Sequence, residues 1–126
     1  DGSHDCPHQI TTFPYGHSDD TRTAEPGRHD VYNCSSANEG GAEKVYVLNI
    51  RERGTLSVEV AVDDEDRVDP DIHLLWGDDA NACLARGHRS LEAAVTPGRY
   101  LVVVDTWVNE AGQALSGEYA LRVDFR

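Results

Sequence analysis

Apolar and polar residues alternate with a period of two along most of this chain. Leu56, Val58, Val60 and Val62 alternate strictly with polar or small neighbours, as do Leu91, Ala93 and Val95, and again Tyr119, Leu121, Val123 and Phe125. Successive side chains of an extended strand point to opposite faces, so each run describes a strand with one face buried. Val45, Val47 and Leu48 to Ile50 give a near-alternating strand, and Ile72 and Leu74 point one way while His73 and Leu75 point the other. Tyr100 to Val104 is continuously apolar, the pattern of a central strand covered on both faces. Turn chemistry separates the runs at Arg53-Gly54, Asp69-Pro70, Gly77 to Asp79, Arg86-Gly87, Pro97-Gly98 and Ser116-Gly117. With no convincing long helical period, the pattern predicts an all-β fold: an antiparallel, jelly-roll-like β-sandwich of about eight strands.

Residues 1–30 lack this alternation. They hold four of the six histidines, and Pro7, Pro14 and Pro26 stand in turn-rich surroundings. Only Ile10 to Tyr15 could pair as a strand, and Pro14, lacking an N–H, confines that strand to an edge. Such a segment cannot bury a core of its own. The expected organisation is an extended N-terminal arm over residues 1–30 and one sandwich domain over residues 31–126.

Four motifs in the second part follow a recognisable order. Gly41 to Tyr46 opens the first strand, and Arg53 to Leu56 turns into the second. An acidic loop and Val68 to Leu75 come next, then Thr96 to Asp105. Together they resemble the bacterial pre-peptidase C-terminal domain, a β-sandwich that rides on secreted proteases and other exported proteins. The resemblance implies a non-catalytic extracellular accessory or binding module.

Charge and cysteine content narrow the setting. A chain of 126 residues is one domain by length, and its net charge of −12 argues against nucleic acid or an anionic membrane surface as partner. No segment reaches the ~18 consecutive apolar residues of a membrane span. Three cysteines, no methionine and few lysines suit a secreted protein, whose export signal is expected to have been removed before Asp1. Cys34 and Cys83 both lie in the part that resembles the family, and a bridge between them is the expected disulfide. Its closed loop would contribute on the order of 4 kcal/mol in the chain-entropy model. The rival pairing, Cys6 with Cys34, would staple the arm to the sandwich.

The loop Asp63 to Asp71 carries six carboxylates in nine positions, without the spacing of an EF-hand. Ca2+ takes six to eight oxygen ligands, and a loop between strands can supply several. Asp66 belongs to this loop. Domains similar to this one bind calcium near their sheet ends, and the resemblance implies Asp69, Asp71 and Glu43 as further ligands. Asp71 could equally accept backbone N–H groups. The histidines of the arm (His4, His8, His17 and His29) match no established zinc spacing and are read as solvated.

Catalytic motifs are absent: the chain has no Gly-x-Ser-x-Gly elbow, no His-Glu-x-x-His and no phosphate loop. No enzymatic activity is expected. Trp107 opens the long connection from Thr106 to Leu115, where a sandwich presents a binding loop, and it is the expected ligand contact. Trp76 ends an apolar strand and is expected to pack. Two functions remain. One is a secreted accessory module that attaches to an extracellular protein or polysaccharide, with calcium stiffening one end. The other is a structural subunit of a fibre or oligomer, self-associating by exchange of its N-terminal arm.

Overall fold

The computed structural model describes residues 2–24, 42–64, 67–77 and 79–126. They form nine strands: β1 (His8–Ile10), β2 (Tyr15–Asp20), β3 (Lys44–Ile50), β4 (Gly54–Ala61), β5 (Pro70–Trp76), β6 (Cys83–Gly87), β7 (Ser90–Val95), β8 (Gly98–Thr106) and β9 (Glu118–Phe125). Helical structure among the described residues is limited to 3-10 turns at Thr21–Thr23 and Ala80–Ala82. The strands make two sheets, one ordered β1-β3-β8-β5-β6 and the other β2-β9-β4-β7. Every pairing is antiparallel except that of β1 with β3. The expected antiparallel sandwich is therefore the observed architecture.

Period-two alternation builds the core. Leu56, Val58 and Val60 of β4, Leu91 and Val95 of β7, and Tyr119, Leu121 and Val123 of β9 meet Tyr46, Leu48 and Ile50 of β3, Ile72 and Leu74 of β5, and Tyr100, Val102 and Val104 of β8. Each wholly buried aliphatic side chain contributes roughly 1.5–3 kcal/mol. Strand β8 lies at the centre of its sheet, and its other face buries Leu101 and Val103 with Val45 and Leu75. That double burial is the reason its sequence runs apolar without a break.

The N-terminal segment is woven into this sandwich. His8–Ile10 runs beside β3 at one edge of the first sheet, and Ile10 is part of the core. Residues 11–14 cross over, and Tyr15–Asp20 then pairs with β9 along the edge of the second sheet. The extended arm expected over residues 1–30 is thus, through Asp20, the edge strand of each sheet in turn. Its alternation escaped the hydrophobic pattern because the inward positions of β2 are Tyr15, His17 and Asp19. Self-association by exchange of this segment would have to give up the ladders it makes within its own chain.

Candidate functional site

Edge strands β1 and β2 bring together residues that are far from apolar. Register places His8 beside Tyr46, and puts His17 opposite Leu121 and Asp19 opposite Tyr119. His17 and Asp19, two residues apart, share the face of β2 that looks toward Tyr46. The His8 and His17 rings lie 4.4 Å apart, and the Tyr46 ring is 5.1 Å from His8 and 5.6 Å from His17. Here the core stops being apolar and becomes a polar pocket of about 470 Å3, lined by His8, His17, Asp19 and Lys44 with Ser3 and Thr23 at its rim.

Hydrogen bonds fix this group. His8 Nε2 lies 3.0 Å from Asp19 Oδ2, and Lys44 Nζ reaches the same oxygen at 3.3 Å. The Tyr46 hydroxyl bonds His17 Nδ1 at 2.8 Å and the Tyr119 hydroxyl at 2.8 Å. Burial, and then the neighbouring His8, lower the pKa of His17. Burial alone would raise Asp19, but the His8 hydrogen bond, the Asp20 backbone N–H and Lys44 outweigh it and hold the carboxyl below its usual range. The result is a carboxylate beside two imidazoles, one of them held toward the neutral form.

A second cluster lies at the same end of the first sheet, on its opposite edge. The end of the acidic loop leads into β5, and the turn from β6 to β7 lies against it. Asp71 is buried, with Oδ2 2.7 Å from Arg86 Nη2 and Oδ1 3.0 Å from His88 Nδ1. Asp69 Oδ1 accepts from Arg89 Nη1 at 3.1 Å, and the same Nη1 donates to the Pro70 carbonyl at 2.7 Å. Behind it, His73 is completely buried opposite Arg86, and burial pushes its pKa down to about 4.

The expected calcium ligands divide. Asp69 and Asp71 are brought together, with His88 as a third potential ligand. Glu43 is buried just before β3 and bonds Nε2 of His4. Because β8 runs between β3 and β5, the backbones at Glu43 and Asp71 are two strand spacings, roughly 10 Å, apart. Asp66 lies outside the described residues. So does Cys34, the expected partner of Cys83; Cys83 opens β6 and packs on the outer cluster of Val45, Leu75, Leu101 and Val103, and Cys6 is an exposed thiol.

The two tryptophans differ in exposure. Trp107 is half-buried, in a connection that is itself tightly bonded. Its N–H donates to the Asp69 carbonyl at 3.2 Å and its carbonyl accepts from Leu115 at 3.1 Å. Trp76, at the far end of β5, is 47% exposed. Its indole meets the Tyr100 ring edge-on at 5.1 Å, and any side chain at Gly98 would collide with it. The Tyr100 hydroxyl is itself pinned by the Thr96 carbonyl at 2.7 Å and the Thr96 N–H at 3.1 Å. Trp76 is therefore an exposed aromatic on a rigid support. An apolar strand followed by Gly77 reads as packed, and only the glycine at 98 across the sheet makes room for the ring.

No family profile matches the chain, and no curated protein sequence does. Solved structures do. The pre-peptidase C-terminal domain of a collagenase from Bacillus anthracis superposes with a TM-score of 0.62 over 94% of each chain at 16% identity. PliG of Aeromonas hydrophila, a periplasmic inhibitor of g-type lysozyme, superposes with a TM-score of 0.59 over 95% of this chain and 96% of its own at 12% identity. At such identities the likeness is one of fold, and the fold is that of the pre-peptidase C-terminal domain.

Proposed function

We propose that this chain is a non-catalytic accessory module of a secreted bacterial protein, and that it works by holding an extracellular protein or polysaccharide. The observation that carries the reading is Trp76. An indole nearly half exposed, braced by Tyr100 and given its place by Gly98, offers large contact area with little side-chain entropy left to lose. Aromatic anchors of this kind dominate binding surfaces. Whole-chain likeness to two domains of the same fold supports a unit that acts as one compact module.

Calcium enters this reading as a weak occupant of Asp69 and Asp71. Arg86, Arg89 and His88 already satisfy those carboxylates, so an ion has to displace guanidinium groups before it gains oxygen ligands.

Retention of the folded chain on a panel of insoluble polysaccharides and immobilised matrix proteins tests the proposal. Trp107→Phe leaves Trp76 as the single fluorescent reporter, which should shift its emission on binding. Trp76→Ala should weaken the affinity at least about tenfold. Retention that is undiminished in Trp76→Ala, or absent across the panel, overturns the reading.

A further inference from the structure

The pocket between β1 and β2 calls for a different explanation. Its polar groups sit where the two sheets would otherwise close over an apolar core, and they come from both sheets. His8 belongs to the first, His17 and Asp19 to the second. Their ligating atoms lie within 4.8 Å of one another. Two imidazoles and one carboxylate are the donor set of borderline divalent ions, which bind nitrogen at about 2.0–2.1 Å and carboxylate oxygen at about 2.0–2.2 Å. Ca2+ and Mg2+ prefer oxygen and are poorly served by it.

We propose that His8, His17 and Asp19 form a binding site for a divalent transition-metal ion, with Zn2+ the best match, that ties the N-terminal edge strands of the two sheets together.

Surrounding groups fit the role. The Tyr46 hydroxyl holds Nδ1 of His17 at 2.8 Å, which sets the ring and leaves Nε2 for a ligand. Tyr119 in turn holds the Tyr46 hydroxyl, so the orienting group is anchored in the core. The pocket of about 470 Å3 gives an ion access and leaves room for a water or an incoming donor at a remaining position. Lys44 is the competitor: its ammonium group, 3.3 Å from Asp19 Oδ2, occupies part of the space around the carboxylate. A lysine ammonium is a single point charge, so it holds the carboxylate without the fixed geometry of a guanidinium group.

Calorimetry of the folded chain with Zn2+ alone should show one ion bound per chain with micromolar affinity, and the melting temperature should rise by several degrees. Co2+ alone should develop the visible absorption of a low-symmetry, nitrogen-containing site. His8→Gln and His17→Gln should each weaken Zn2+ binding by about tenfold or more, while His88→Gln and His4→Gln leave it unchanged. Lys44→Gln should tighten it. Long-range 1H–15N spectra of the wild type give a readout that needs no variant: the imidazole nitrogens of His8 and His17 should shift together on adding Zn2+, and those of His88 should not. Absence of Zn2+ binding to the folded wild type overturns the proposal. So does affinity unchanged in both His8→Gln and His17→Gln, or Zn2+ shifts confined to other histidines.

Discussion

Among the described residues, two clusters that group carboxylates and imidazoles within metal-ligand reach are built from the same residue types and differ in what balances them. In the pocket under β1 and β2, one carboxylate, Asp19, faces two imidazoles and a single ammonium group. At the start of β5, two carboxylates face one imidazole and two guanidinium groups. Charge alone does not separate them, because each carboxylate has a cation within reach. The kind of cation does. Arginine keeps its proton and cannot become a metal ligand, so Asp71 and Asp69 are bonded by fixed cations. Lysine and histidine hold Asp19 with groups that can move away or become ligands themselves. One cluster thus reads as a structural clasp between β5 and the β6–β7 turn. The other reads as a site.

The largest expected effect breaks the clasp. Asp71 is 1% exposed, and Asp71→Asn removes the buried charge to which Arg86 and His88 bond. The loss of stability should be on the order of 3 kcal/mol, against about 1 kcal/mol for Asp19→Asn in the open pocket. Urea unfolding of both variants measures the contrast, and equal losses would erase the distinction drawn here.

A pH titration sharpens it further. His73, behind the clasp, has a pKa near 4 in the folded chain against 6.5 in the unfolded one. Between those values the unfolded state takes up the proton first. Stability is therefore complete above about pH 6.5 and falls as the pH drops toward 4, by up to about 3 kcal/mol. His17 acts in the same direction, on the pocket side. Unfolding free energies at pH 7 and pH 5 should converge in His73→Asn far more than in His17→Gln. A profile as steep in His73→Asn as in the wild type would show that the acid sensitivity lies elsewhere.

The smallest effect concerns calcium. Because guanidinium groups already occupy Asp69 and Asp71, millimolar Ca2+ should move the melting temperature of the wild type by only a degree or two. Arg89→Gln removes the guanidinium group from Asp69 Oδ1 and should enlarge that shift, since a ligand that binds only the native state stabilises it by RT ln(1 + [L]/Kd). A large shift in the wild type would mean that calcium displaces the arginines with ease, and that the clasp is a metal site after all.

The legible parts of the fold are those where burial writes a period into the chain. Leu56 to Val60 and Tyr119 to Val123 alternate because one face meets the core, and Leu101 to Val104 does not alternate because β8 is buried on both. Strands β1 and β2 were illegible for the opposite reason. β1 is three residues long, and the inward face of β2 is Tyr15, His17 and Asp19, which carry no hydrophobic signal. Trp76 stands exposed where packing is expected because exposure at a strand end depends on the neighbour across the sheet. For Trp76 that neighbour includes Gly98, 22 positions along the chain.

The all-β class, the sandwich, the positions of most turns and the acidic character are written in the chain. These follow from the alternation of side chains and from turn chemistry, which act over a few residues. The resemblance to the pre-peptidase C-terminal domain also implied Asp69 and Asp71 as a pair. Folding in three dimensions brings Arg86, His88 and Arg89 over that pair, Glu43 to His4, and His8 to His17 and Asp19. Each of these contacts depends on which strands become neighbours and in what register. Pairing is set by the packing of the whole core, and no local pattern in the chain records it.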